Sequence, residues 1–220
     1  MQRVPQQRAA IRPLSRIRTA QGADGVRLLV GIVALMWAIE VINTLDSNRL
    51  DGDGIWPRSL GHLWGILTSP FIHVSFAHLL GNTVPLLFMG LIIALRGAAR
   101  LALVTAIVIV VGGLGTWLVA PGHSVVGASG VVFGYATYLL TRGLFDRSVL
   151  EILTGAVVGA VWGSALLSSL VPHPGVSWQG HAAGALAGVL AAWWLSTRGR
   201  RDEPLQSRGV NRSAVRALPD

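Results

Sequence analysis

The 220-residue chain contains no cysteine and no lysine, and only 13% of its residues are charged. Without cysteine there are no disulfides and no thiolate metal sites, and cysteine usage gives no reading of the redox compartment. Without lysine every basic residue is an arginine: 18 of them stand against 10 acids, for a net charge of +8. A soluble domain usually carries about 25% charged residues. Half that figure, with 52% hydrophobic residues and a mean hydropathy of +0.57, indicates a polytopic membrane protein. In such a chain the position of the positive charge matters before its total. No nucleic-acid partner is expected; the expected surroundings are a lipid bilayer.

A transmembrane helix needs about 20 apolar residues. Six candidate segments are present, at 27–45, 77–95, 101–119, 128–142, 149–171 and 179–197. The fourth is short. It spans only if the approach at 121–127 also lies at membrane depth, and non-helical backbone is tolerated there only under protein cover or along a wet cavity. The expected organisation is a disordered basic arm over 1–26, one six-helix membrane domain over 27–197 and a disordered basic tail over 198–220.

The arginines orient this all-α bundle. With the N-terminus inside, 16 of the 18 fall in inside segments: the arm with Arg27 at its end, the pairs Arg96/Arg100 and Arg142/Arg147, and the tail. Arg49 and Arg58 alone lie outside. Positive charge accumulates on the cytoplasmic side of membrane proteins, so both termini are expected in the cytoplasm, and short loops suggest a bacterial plasma membrane. The long external segment 46–76 carries Trp56, Trp64 and Phe71, which suits a partly folded element at the headgroup level. Asp51-Gly-Asp53-Gly54 lacks the remaining ligand positions of a calcium loop and reads as a turn.

Three polar clusters interrupt the apolar segments: His73-Val-Ser-Phe-Ala-His78-Leu-Leu-Gly-Asn82, Gly127-Ala-Ser129-Gly130, and Gly180-His181-Ala-Ala-Gly184-Ala-Leu-Ala-Gly188. Ionisable groups in hydrocarbon cost roughly 2.5–3.5 kcal/mol at the centre on insertion scales and are functional candidates by default. In the six-helix topology the second, fourth and sixth helices all run inward. His78 and Asn82, four residues apart and so on one face, then share the outer depth with Ser129 and His181. Ser129 opens a helix between glycines, where unpaired N–H groups favour negative charge. His181 can serve it as a base, and His78 and Asn82 can donate to an oxyanion. No acid stands at this depth, so a Ser–His dyad is expected. Gly180, Gly184 and Gly188 have small-xxx-small spacing, which lets helices approach closely; the expected partner is the fourth helix at Gly130 and Gly134.

Each piece alone has a plain structural reading. Serine and glycine pack helices, and His73 can tie the loop to the second helix. His73 and His78 have no cysteine or carboxylate beside them to complete a metal site, so neither metal nor cofactor is expected. The common depth of the three clusters favours catalysis.

His73-x4-His78-x3-Asn82, Gly127-x-Ser129-Gly130 and His181-x2-Gly184-x3-Gly188, in this order on helices 2, 4 and 6, resemble the rhomboid intramembrane serine proteases. The resemblance covers about residues 27–197. It implies a rhomboid-like six-helix bundle that cleaves transmembrane protein substrates near the outer leaflet. It implies Ser129 as nucleophile, His181 as base, and an oxyanion hole from the Ser129 N–H, His78 and Asn82; His73 matches a further family position. Two departures stand out. The family often has Trp-Arg in the first loop, where Trp64 here precedes Gly65. It often has tyrosine four residues after the nucleophile, where this chain has Phe133, which can still stack on His181. The alternatives are a non-catalytic membrane chaperone or adaptor on the same scaffold, and a small transporter, for which Glu40 is the one buried-looking acid.

Overall fold

The computed structural model describes the backbone of residues 14–214 and the side chains of 20–196. Its helices are α1 (Leu14–Leu45), α2 (Gly65–Thr68), α3 (Phe76–Ala94), α4 (Ala98–Ile107), α5 (Gly113–Val119), α6 (Ser129–Asp146), α7 (Val149–Ser168) and α8 (Trp178–Ala214). A π-helical turn, Val108–Gly112, carries α4 into α5 without a break, so the two form one span from Ala98 to Val119. With the single turn of α2 set aside, six long helices remain among the described residues, the expected number. Among the described residues only an isolated bridge, Ile55 to Val125, has strand character.

Among the described residues four helices are long and apolar enough to cross a membrane: Ala20–Leu45, Phe76–Ala94, Ala98–Val119 and Val149–Ser168. The other two, α6 and α8, share the most extensive helix pairing in the molecule. Their lower apolarity has a physical reason. Val131, Phe133, Tyr135, Tyr138 and Leu139 of α6 are buried, as are Ala187, Ala191 and Ala192 of α8. A helix walled by protein need not present lipid-soluble side chains all round.

The basic arm is expected over 1–26 and the basic tail over 198–220. Residues 1–13 and 215–220 lie outside the described residues, but the backbone of 14–26 and 198–214 is helical. Extending a helix that is already nucleated fixes one residue per hydrogen bond, so α1 and α8 run past their apolar segments.

Glycines set the packing of α8. A Cβ on Gly184 would overlap the Gly130 carbonyl, and one on Gly188 would overlap that of Gly134. On its other side Gly184 meets Gly112 of the π turn, where an added Cβ would lie 3.1 Å from the Gly184 Cα. The seam therefore fixes both the spacing and the register of α6 against α8.

The 46–76 segment is folded, with short 3-10 turns at Arg49–Asp53, Leu60–His62 and Ser69–Phe71 around α2. Asp51 and Asp53 lie in the first of these turns. Asn43 at the top of α1 ties it down: its Nδ2 donates to Asp51 Oδ1 (2.9 Å) and to the His73 carbonyl (3.1 Å), and its Oδ1 accepts from the Leu50 N–H (3.0 Å). Glu40 lies fully buried one turn below, facing Asn43 and the His73 backbone. At the opposite end Arg96 pairs with Glu151, and Arg142 reaches Asp146 at 2.9 Å and Glu151 at 3.8 Å. These pairs fasten the α3–α4 turn to α6 and α7.

Candidate active site

Chain direction brings the first turns of α3, α6 and α8 to the same end of the bundle. Ser129 is the first residue of α6, and His181 lies in the opening turn of α8. The Gly130–Gly184 contact draws the two helices together just beyond these residues. As a result Ser129 Oγ lies 2.9 Å from His181 Nε2. The other ring nitrogen, Nδ1, lies 2.8 Å from the carbonyl oxygen of Ser169. A carbonyl only accepts, so Nδ1 carries the proton and donates it. Nε2 is then the bare nitrogen and accepts from the Ser129 hydroxyl. Phe133, one turn into α6, stacks on the imidazole with centroids 4.5 Å apart and planes 9° from parallel.

The turn before Ser129 is held from several directions. Gly127 has φ +116°, a conformation that side-chain-bearing residues rarely adopt, and a Cβ there would lie 2.7 Å from the His78 ring. Its N–H donates to the Ser69 carbonyl (2.9 Å). The Ala128 N–H donates to Nε2 of fully buried His73 (3.2 Å). Burial, with His78 beside it, lowers the His73 pKa to about 4, so this ring is neutral and able to accept. Helix α6 has no side-chain cap, which leaves its first N–H groups available at the site.

His78 and Asn82 lie on one face of α3, next to Gly127. Asn82 is buried, and its Nδ2 finds no hydrogen-bond partner among the described residues. An unpaired buried donor costs about 1–3 kcal/mol. Asn82 lines a cavity of about 580 Å³ together with His78, Ser129, His181, Val126 and Ser177. A smaller cavity of about 40 Å³ on the other side of Ser129 is bounded by Gly112, Gly113, Thr116 and Gly180.

Residues 60–198 match the family model described as "Rhomboid domain". The chain belongs to the rhomboid family. It is 41% identical over 216 residues to an uncharacterized protein of Mycobacterium tuberculosis, covering 90% of each chain. A second uncharacterized protein, from Mycobacterium leprae, is 40% identical over 85% of this chain and 77% of its own. The putative rhomboid protease YdcA of Bacillus subtilis is 29% identical over 60% of this chain and 67% of its own length.

The two departures from the rhomboid pattern have local explanations. Gly65 is pressed on the Gly54 backbone, and a Cβ there would overlap the Gly54 carbonyl, so no arginine fits. Another arginine fastens this rhomboid's loop. The Arg58 N–H donates to the Trp117 carbonyl (3.0 Å), and its guanidinium donates to the carbonyls of Leu118 (3.1 Å) and Ala120 (2.9 Å) at the end of α5. Phe133 keeps the ring stack without a hydroxyl.

Sequence reasoning missed Ser169 and Asn43. Ser169 acts through a backbone carbonyl, which no side-chain pattern signals. Asn43 carried a signal: with Glu40 it forms a polar i, i+3 pair on one face of an apolar helix.

Proposed function

We propose that this multi-pass rhomboid is an intramembrane serine endopeptidase that cleaves transmembrane proteins near the outer leaflet. The observation that carries this reading is the Ser129–His181 hydrogen bond, with the far side of the imidazole anchored. Ser129 Oγ attacks the scissile carbonyl as its proton passes to His181 Nε2. The oxyanion forms against the Ser129 N–H and the side chains of Asn82 and His78. His181 returns its proton to the leaving amine, and water from the outer cavity then hydrolyses the acyl-enzyme.

The substrate helix enters between α3 and α7. Support for this route lies in their sparse contact: α7 packs chiefly on α6, and its aromatic contact with α3 is Phe88 against Trp162 at 6.1 Å. Small side chains suit the glycine-walled cavity beside Ser129. Helix-breaking residues help as well, because unwinding in lipid leaves backbone groups unpaired. In this reading both termini lie on the cytoplasmic side of a bacterial plasma membrane, and the arginine distribution supports that orientation.

Fluorophosphonate labelling of the purified protein tests the dyad. Wild type becomes labelled, while folded Ser129→Ala and His181→Ala do not. Folded wild type that resists the probe would leave the site without an activated serine and favour the binding-only scaffold.

A further inference from the structure

The end of α7 carries a feature that packing does not explain. Of its last carbonyls, Ala165 is closed by the Ser169 N–H (3.2 Å), Leu167 by Leu170 (3.1 Å) and Ser168 by Val171 (3.2 Å). The Ser169 carbonyl accepts from His181 Nδ1 instead, across a gap of 12 residues in sequence. The Ser169 hydroxyl is turned away and bonds the Ala165 carbonyl at 2.9 Å. Among the described residues no carboxylate bonds His181. The group that orients the base therefore belongs to the carbonyl end of a helix, where the dipole is negative and favours an imidazolium.

Among the four apolar spans of the described residues, that helix is the least enclosed. Only 11% of the α7 window is buried, against 44% for α3. It seats on α6 through glycines: Gly143 of α6 against the backbone of Ile152, and Gly155 of α7 against the backbone of Leu139 and Leu140.

We propose that the outer end of α7 is a working part of the catalytic apparatus, with the Ser169 carbonyl as the group that positions His181, so that the base is armed only while α7 is seated on α6. The inference rests on the Ser–His reading above. The carbonyl fixes the tautomer that leaves Nε2 bare, holds the ring toward Ser129 and balances the charge it gains when it takes the proton. Displacing the end of α7 to admit a substrate helix withdraws the carbonyl, and reseating restores it. Acylation then waits for closure behind the substrate.

The test replaces His181 with each N-methylhistidine in the full-length protein and measures the rate of fluorophosphonate labelling. Methylation at Nε2 blocks the base and abolishes labelling. Methylation at Nδ1 leaves Nε2 bare but removes the donor to Ser169. It is expected to slow labelling by at least about 10- to 100-fold, the scale known for groups that orient metal-ligating histidines. Nitrogen-15 spectra of histidine-labelled wild type report the tautomer without any substitution, with the proton expected on Nδ1. In Gly155→Leu, which pushes α7 off α6, that Nδ1 hydrogen-bond signature is expected to disappear. Undiminished labelling of the Nδ1-methyl protein, or a proton found on Nε2 of wild type, would overturn the proposal while leaving the dyad intact. Failure of wild type itself to label would instead remove the reading beneath it.

Discussion

His73 shows how one buried side chain can serve a site it does not enter. It is fully buried, and its Nε2 holds the N–H of the residue before Ser129. Only the neutral ring accepts that bond. Its pKa is lowered from 6.5 to about 4, first by burial and then by His78. A lowered value in the folded state means that the unfolded chain binds the proton more readily. The stabilisation is therefore complete above about pH 6.5 and is lost as pH falls toward 4, by an amount on the order of 3 kcal/mol. The expected result is a melting temperature that falls across this window in wild type and falls less steeply in His73→Gln; parallel curves would remove His73 as the cause. Spacing and residue type made this position visible in the sequence, since a histidine five residues before His78 at a helix entrance draws attention. Its acceptor role was not legible, because it depends on a turn made by residues 55 positions away.

Among the elements, α6 and α8 carry the geometry. The Gly180-x3-Gly184-x3-Gly188 repeat pointed to close helix packing and to Gly130 and Gly134 as partners, because glycine at a four-residue interval lies on one face whatever the surroundings. The folded chain has these contacts. The π turn at Val108–Gly112, which meets Gly184 from the other side, had no such signal; a π bulge is a property of local hydrogen bonding that composition does not reveal. Gly184→Val tests the seam. Its side chain would collide with the Gly130 carbonyl, separate the helices and draw His181 Nε2 away from Ser129 Oγ. Labelling by the fluorophosphonate is expected to fall at least about 100-fold, the scale of losing one properly placed catalytic group, while the protein still inserts into membranes. Labelling at the wild-type rate would mean that the dyad does not depend on this contact.

For the whole molecule, hydropathy and arginine placement specified six long helices, because span length and charge asymmetry are imposed by the bilayer itself. The ends of α1 and α8 were less legible, since a helix can continue into polar sequence once it is nucleated. The loop between α1 and α3 was legible as partly folded but not in its fastenings: Arg58 to the end of α5, and Asn43 to Asp51 and His73. Among the four apolar spans of the described residues, α7 has the least cover.

The most direct measurement is cleavage of a single-span substrate, with a small residue and a helix breaker in its outer third, co-reconstituted with this rhomboid in liposomes. The account predicts that wild type cuts within that outer third, and that Ser129→Ala and His181→Ala bind the substrate but leave it whole. Cleavage by Ser129→Ala at the wild-type rate, or binding without cleavage by wild type, would contradict it.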